Sequence, residues 1–249
     1  MHRFFVPPAA IVGDVVRFPP ATAEQIARVL RLRPGDEVAV LDGAGTRYRV
    51  TLRQVTREAV EGQVMQREMA SGEPRVHLAL YAALLKGDRF EWTLQKGAEL
   101  GVARFTPMVT ERTVARSLTI TSARRMRWER IVQEAAEVCG RARVPEIAEP
   151  LPFEAACAEA ARAEMRLIAW EAEEGRSLEE AWGADQPTSV ALMIGPEGGF
   201  TNDEVMLAME HGFVPFSLGP RLLRAETASV VAVTLILQRA GELRPRRAA

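Results

Sequence analysis

The chain has 249 residues, 47% of them apolar and 26% charged, and a formal net charge of −1. That apolar content supplies a packed core for one large domain or for a small and a medium one. No run approaches the roughly 18 apolar residues that span a bilayer, and MHRFFVPPA lacks the apolar stretch of a secretion signal, so neither a membrane span nor export is expected and the expected location is cytoplasmic.

Cys139 and Cys157 lie in helical patterns without metal spacing and read as reduced, structural residues. His2, His77 and His211 are scattered, and no metal site is expected. The near-neutral total argues against a nucleic-acid protein, but the charge is unevenly spread. From Arg112 to Arg143 there are eight arginines against three glutamates, and from Val144 to Gln186 eleven acids against three arginines. A basic face suited to phosphates and an acidic one can share the molecule, although each run equally fits a solvated helix side.

In chain order, His2–Val6 reads as a strand closed by Pro7-Pro8, and Val12–Phe18 as a second, stopped by Pro19-Pro20. Thr22-Ala23-Glu24-Gln25 has the form of a capping box before the stripe Ile26, Val29 and Leu30, and that helix ends near Pro34-Gly35. Glu37–Leu41, Tyr48–Val55 and Val60–Val64 follow as strands, with a turn at Asp42-Gly43. Short strands around one brief helix predict a small β-barrel up to about Gly72, with Ser71-Gly72-Glu73-Pro74 as a linker. Arg28, Arg31 and Arg33 surround the helix end, and Arg47, Arg49 and Arg53 share a strand face. Two readings fit that stripe: guanidinium contacts to RNA phosphates with Phe4 or Phe5 stacking on a base, or a solvated face over a buried aromatic pair.

Beyond the linker, strands alternate with helices. His77–Leu84 is a strand, Arg89–Leu100 a helix with Phe90, Leu94 and Ala98 inward, and Val102–Val109 the next strand. Lys86 and Lys96 are the only lysines, so lysine is either required at those places or simply caps and solvates the helix. Thr121–Cys139 is a long helix with Trp128, Ile131, Val132, Ala135 and Val138 on its inner side. Arg130, Glu134, Glu137 and Arg141 recur at helical spacing and predict a self-paired solvent face. Phe153–Glu164 reads as a helix, Arg166–Trp170 as a strand, Leu178–Trp182 as a short acidic helix, and Arg244–Ala249 as a frayed tail.

Two segments near the C-terminus share one design. Val190 to Ile194 is a continuous apolar run, as in a strand buried on both faces of a parallel sheet, and it breaks at Gly195-Pro196-Glu197-Gly198-Gly199. Thr201 or Asn202 caps the helix that follows, with Asp203 and Glu204 in its first turn. In the second, Phe216-Ser217-Leu218 ends at Gly219-Pro220, and Leu222-Leu223-Arg224-Ala225-Glu226 leads into the apolar helix Val230–Leu237. Turns at the carboxyl ends of parallel strands are where open α/β sheets bind ligands. Neither turn fits the dinucleotide fingerprint or the phosphate-binding loop with its lysine.

IGPEGGFTNDE followed by LGPRLLRAETA closely resembles the RsmE family of ribosomal RNA methyltransferases, of the knotted SPOUT class. The opening HRFFV and the phrase LLKGDRFEWTLQKGAELGV are similar to the same family, whereas EAAEVCGRARVP carries Val138 and Cys139 where the family has Gln and Ser. The resemblance implies an α/β fold: a PUA-like RNA-binding β-barrel over residues 1–72 and a SPOUT methyltransferase domain with a C-terminal trefoil knot over residues 73–249. It also implies S-adenosylmethionine as cofactor, a homodimer, and methylation of N3 of one uridine in 16S rRNA of the small subunit.

Carried over residue by residue, it places the cofactor against Gly195, Pro196, Glu197, Gly198, Gly199, Leu218, Gly219, Leu222, Leu223 and Arg224, with Trp170 or Glu171 as a third loop. The uracil N3 proton must leave during the reaction, so Arg224 is expected to offset charge on a uracil oxygen and Glu197 or Glu226 to orient or deprotonate the base. Glu226 equally fits a helix N-terminal carboxylate without a chemical role. RNA contacts are expected from Arg3, Arg28, Arg31, Arg47, Arg49 and Lys86. Alternatives are a knotted methyltransferase for another rRNA or tRNA base, and an RNA-binding assembly factor that no longer reacts.

Overall fold

The computed structural model describes residues 1–56, 58–114, 118–184 and 186–245; the tail expected to fray lies outside them from residue 246 on. The chain divides into two compact units, Met1–Glu73 with Gln133–Val144 and Pro74–Val132 with Pro145–Ala249.

The first unit is a six-stranded sheet in the order β1-β4-β5-β6-β3-β2. Its strands are β1 (Arg3–Phe5), β2 (Ile11–Val12), β3 (Val15–Arg17), β4 (Glu37–Leu41), β5 (Thr46–Val55) and β6 (Val60–Met69), all antiparallel neighbours except β1 and β4. Alternation of side chains turns Val38, Val40, Val50 and Leu52 inward onto Phe4, Phe18 and Ile26. The stretch expected as one strand over Val12–Phe18 instead folds back as the β2–β3 hairpin, because Gly13 takes φ +58 beside Asp14. Helix α1 (Pro20–Glu24) starts two residues before the anticipated capping box, with Pro19 as N-cap and no side-chain cap, since a proline with its preset φ already suits the first helical position.

Phe4 and Phe5 are only 1% and 8% exposed, and Phe4 meets Phe18 edge-on at 6.2 Å, so neither ring is open to a base. The β5–β6 ladder slips twice, but Val50 and Leu52 face the core and Arg47, Arg49 and Arg53 keep to the other face of β5.

Gln133–Val144 belongs to this unit, although its sequence reads as part of the methyltransferase segment. Glu137, expected on a solvent face, is buried and accepts from the Phe5 amide at 2.9 Å and from Gln133 Nε2 at 3.1 Å; burial raises its carboxyl above the usual range. Arg141, 3% exposed, donates through Nη2 to Glu73 at 2.6 Å, while the amides of Ala142 and Arg143 donate to the same carboxylate at 2.9 and 3.1 Å. Burial raises the Glu73 carboxyl, but Arg141 and those two amides outweigh it and hold the group below the ordinary range. The expected linker is therefore tied down at Glu73. Val138, expected inward, is 75% exposed.

The second unit is built on a wholly parallel sheet in the order β10-β8-β7-β12-β11-β13, with β9 also pairing β8. The strands are β7 (His77–Ala83), β8 (Arg104–Val109), β9 (Glu146–Ile147), β10 (Leu151–Pro152), β11 (Met165–Ala169), β12 (Ser189–Ile194) and β13 (Val214–Phe216). The helices are α2 (Arg89–Leu100), α3 (Ser122–Cys139, entering the first unit at Gln133), α4 (Phe153–Ala160), α5 (Leu178–Trp182), α6 (Asn202–Glu210) and α7 (Ala225–Arg239). Val190 to Ile194 is buried throughout, as a central parallel strand covered on both faces requires. Helices α4 and α6 cover one face through Phe153, Ala156, Val205 and Ala208 on Tyr81, Ala83 and Met193, and α2 packs against α7. Register sets Ala82, Ile194, Ala169 and Phe216 in one row, so the loops after these four strands leave from one rim of the sheet.

Candidate active site at the carboxyl rim of the parallel sheet

The first glycine turn follows β12. Gly199 has φ +69 and its amide donates to Pro196 O at 3.0 Å, a reversal that a side chain at that position would strain. A Cβ on Gly199 would sit 1.6 Å from Glu171 Oε1, so the glycine admits the carboxylate of the loop after β11. A Cβ on Gly198 would lie 3.1 Å from Arg112 Cβ, and one on Gly195 3.2 Å from the Phe200 ring. Arg112, from the segment after β8, donates through Nη1 to Gly198 O at 2.8 Å and to Phe200 O at 3.3 Å.

At the far side of the turn Thr201 and Glu204 form a capping box on α6, and the second oxygen of the buried Glu204 accepts from the Glu111 amide at 2.8 Å. Of the two caps expected, Thr201 serves.

The second turn follows β13. Gly219 has φ +99 with nothing within 4 Å of where a Cβ would stand, and its amide donates to Ser217 Oγ at 3.2 Å. Leu222 is 86% exposed, Leu218 and Leu223 are half-buried, and Arg224 is the exposed N-cap residue of α7. Arg224 makes no side-chain hydrogen bond or ion pair among the described residues. The third loop joins the same rim through the Trp170 amide, which donates to Phe216 O at 3.1 Å.

One side chain bridges the first turn and the start of α7, the helix that the second turn leads into. Arg89, at the start of α2, donates through Nη1 to Glu197 Oε1 at 3.1 Å, and its Nε lies 3.9 Å from Glu226 Oε1. The Lys86 amide donates to the same Glu197 oxygen at 3.2 Å, while the Lys86 side chain is exposed. Glu226 Oε2 is buried and receives no hydrogen bond. Sequence reasoning placed both carboxylates here and missed Arg89, Arg112 and the Glu111–Glu204 bond. Arg89 left a trace: a cation in the first helical turn opposes the helix dipole, at a cost of about 0.3–1 kcal/mol unless it is paired.

Other expected residues lie elsewhere. Arg3 donates to Val138 O at 3.0 Å, Arg28 pairs with Glu24 at 2.7 Å, Arg47 pairs with Glu68, and Arg49 donates to Gln66. Arg31 is exposed and adopts φ 55. Lys96 pairs with Glu99 at 2.8 Å, the solvating role. Burial pushes the Cys157 thiol up to about 12, which leaves no thiolate nucleophile there at neutral pH. Among the described residues no group of three or more His, Cys, Asp or Glu could hold a metal, and no helix is long and apolar enough to cross a membrane.

Glycine turns gathered at the carboxyl rim of a parallel sheet, in a chain that also carries a small, mostly antiparallel β unit, define a two-unit α/β protein with a ligand-type rim. Residues 72–237 match the family model for the RNA methyltransferase domain, and residues 26–65 that for the RNA methyltransferase PUA domain. The ribosomal RNA small subunit methyltransferase E of Synechocystis is 35% identical over 94% of this chain and 77% of its own length, and that of Bacillus subtilis 29% identical over 95% and 96%. Among solved structures, the methyltransferase Lpg2936 of Legionella pneumophila in complex with SAM is 32% identical, with a TM-score of 0.86 over 95% of this chain and 97% of that one. The ribosomal RNA small subunit methyltransferase E of Neisseria gonorrhoeae bound to S-adenosyl methionine is 30% identical, with a TM-score of 0.85 over 96% and 98%. The chain belongs to the ribosomal RNA small subunit methyltransferase E family.

Proposed function

We propose that this chain transfers the methyl group of S-adenosylmethionine to N3 of one uridine in 16S rRNA of the small ribosomal subunit. The observation that carries the reading is the bridging, by Arg89, of the first glycine turn and the start of α7, the helix that the second turn leads into, at the rim from which a third loop also leaves. The residues fit the cofactor. Three glycines let neighbouring groups come close to the backbone, an apolar Leu222 stands 86% exposed, and among the described residues a buried carboxylate oxygen lacks a donor. Such a rim suits a small molecule with an apolar body and a few polar groups.

Gly195, Pro196, Glu197, Gly198 and Gly199 would hold the donor from one side and Leu218, Gly219, Leu222, Leu223 and Arg224 from the other, with Trp170 and Glu171 closing the third. When bound, S-adenosylmethionine supplies an electrophilic methyl carbon on a sulfonium. Uracil N3 is mostly protonated at neutral pH, so the chain's task is to stabilise the uridine anion or accept its proton. Arg224, unpaired at the start of α7, offsets charge on a uracil oxygen. Glu226, with one oxygen free of donors, orients the base or takes its proton; Glu197, engaged by Arg89 and the Lys86 amide, is the poorer acceptor. The side chain of Lys86 and the first unit's Arg28, Arg31, Arg47 and Arg49 supply phosphate contacts, Arg3 more weakly because α3 carbonyls already hold it. With this reading go a trefoil knot at the two turns, a homodimer and a cytoplasmic site of action.

Titration calorimetry with S-adenosylmethionine tests the donor, and mass spectrometry of small-subunit rRNA from a deletion strain tests the product. Loss of a single N3-methyluridine on deletion is expected; a lost modification on tRNA or on another base would replace the substrate. In single-turnover methylation at saturating donor Arg224→Ala should slow the reaction by about a hundredfold, the size typical of losing one preorganised charge-stabilising group. An undiminished rate removes Arg224 from the chemistry.

A further inference from the structure

We infer that Arg89 is a positioning residue that locks the two glycine turns into one crevice, holding Glu197 of the first and Glu226 at the start of α7, beyond the second, before any ligand arrives. The inference rests on the methyltransferase reading and adds a residue that the sequence motifs did not mark. Among the described residues Arg89 is the one side chain whose guanidinium reaches both carboxylates, at 3.1 and 3.9 Å.

The charges explain why the lock needs a cation. Glu197, in the turn after β12, and Glu226, in the first turn of α7, each put an oxygen within 4 Å of the Arg89 guanidinium, and without that cation the two carboxylates would repel. A cation suits the place because it attracts both carboxylates at once, so one group can serve both oxygens. Arg89 stands in the first turn of α2 and Glu226 in the first turn of α7, and these helices pack together. The carboxylate is favoured by its helix dipole and the cation is opposed by its own, so the pairing overrides a local preference. The Lys86 amide supports Glu197 from the same loop, which ties the segment entering α2 to the first turn.

The side chains of Arg89, Glu197 and Glu226 are 40%, 28% and 14% exposed. Partly exposed pairs contribute little to global stability, so the consequence of breaking this one falls on the geometry of the crevice. That separates a positioning role from a structural one.

The test compares wild type, Arg89→Ala and Arg89→Lys for S-adenosylmethionine affinity by calorimetry, single-turnover methylation of small subunits at saturating donor, and thermal unfolding. Arg89→Ala should weaken donor binding by about tenfold, the effect of losing one coupled contact, and Arg89→Lys should recover most of it. The melting temperature of Arg89→Ala should stay within about 3 °C of wild type. Arg89→Met, which keeps the stem without the charge, carries the same expectation should the alanine variant be poorly folded. Unchanged affinity in Arg89→Ala or Arg89→Met, with a wild type that binds and methylates, overturns the lock and leaves the methyltransferase reading standing. A loss of affinity matched by a large fall in melting temperature, or one that lysine does not rescue, also overturns it in favour of a structural role. A wild-type chain that binds no donor overturns both.

Discussion

The two glycine turns leave the same rim of the sheet and are built in opposite ways. The first, Gly195–Gly199, is gripped from several sides: Arg112 on its carbonyls, Glu171 against Gly199, Arg89 and the Lys86 amide on Glu197, and the Thr201–Glu204 box tied to the Glu111 amide. The second, Ser217–Arg224, has open space around Gly219, an exposed Leu222 and an exposed Arg224 whose side chain has no partner among the described residues; Ser217 is held at its base by its amide's bond to Arg176 O at 2.8 Å. One turn is preassembled and the other is left for something to cover. Preorganisation removes ordering costs where position must be accurate, whereas an uncovered apolar side chain is tolerated where a ligand or substrate will bury it.

The contrast breaks most readily at Glu204. Glu204→Ala removes the capping box and the bond from the Glu111 amide, and urea unfolding should show a loss of about 2–3 kcal/mol. Donor affinity should fall with it, because the far side of the first turn is released. A stability within error of wild type would mean the first turn needs no external support.

Next in size are the two glycines with positive φ. Gly199→Ala and Gly219→Ala should each cost about 1–2 kcal/mol from the backbone, measured in the same way. The nominal overlap at Gly199 adds little, since Glu171 is an exposed, flexible side chain that can swing aside, so Glu171→Ala should recover almost none of the loss. The turns should differ in function. Gly199→Ala turns the Glu171 side chain away from the first turn and lowers donor affinity, whereas Gly219→Ala meets no neighbour and does so only through the backbone.

The smallest effect on folding belongs to Leu222→Ala, within about 0.5 kcal/mol of wild type for so exposed a side chain. Its donor affinity should nonetheless drop by about tenfold or more, consistent with about 1.5–3 kcal/mol for a leucine that a ligand covers. No change in affinity would show that the second turn's apolar tip serves something else.

Much of the second unit was legible in the sequence. Periodicity and the following Gly101 delimit α2 at Arg89–Leu100, the acidic Leu178–Trp182 is α5, and the unbroken run Val190 to Ile194 is a central parallel strand. Local signals sufficed because each element's burial pattern repeats at its own period. The first unit was less legible where turn chemistry competed with pattern: Gly13 divides a seemingly continuous strand, and Pro20 starts a helix ahead of a good-looking box. The ladder Arg130, Glu134, Glu137 and Arg141 misled for a further reason. Helical spacing reports which residues share a side, and only the partners that cover that side decide whether it meets water.

By itself, then, the sequence determined the two glycine turns, their strands and helices, and the family whose pattern they carry, all of which depend on neighbours a few residues apart. The tertiary structure alone decided that β12 inserts between β7 and β11, and with that order came the meeting of Arg89, Glu197 and Glu226, the grip of Arg112 and Glu111 on the first turn, and the burial of Glu137 and Arg141. These bonds join residues roughly seventy to well over a hundred positions apart, and no helical or strand period encodes which distant carboxylate a guanidinium will meet once the sheet is assembled.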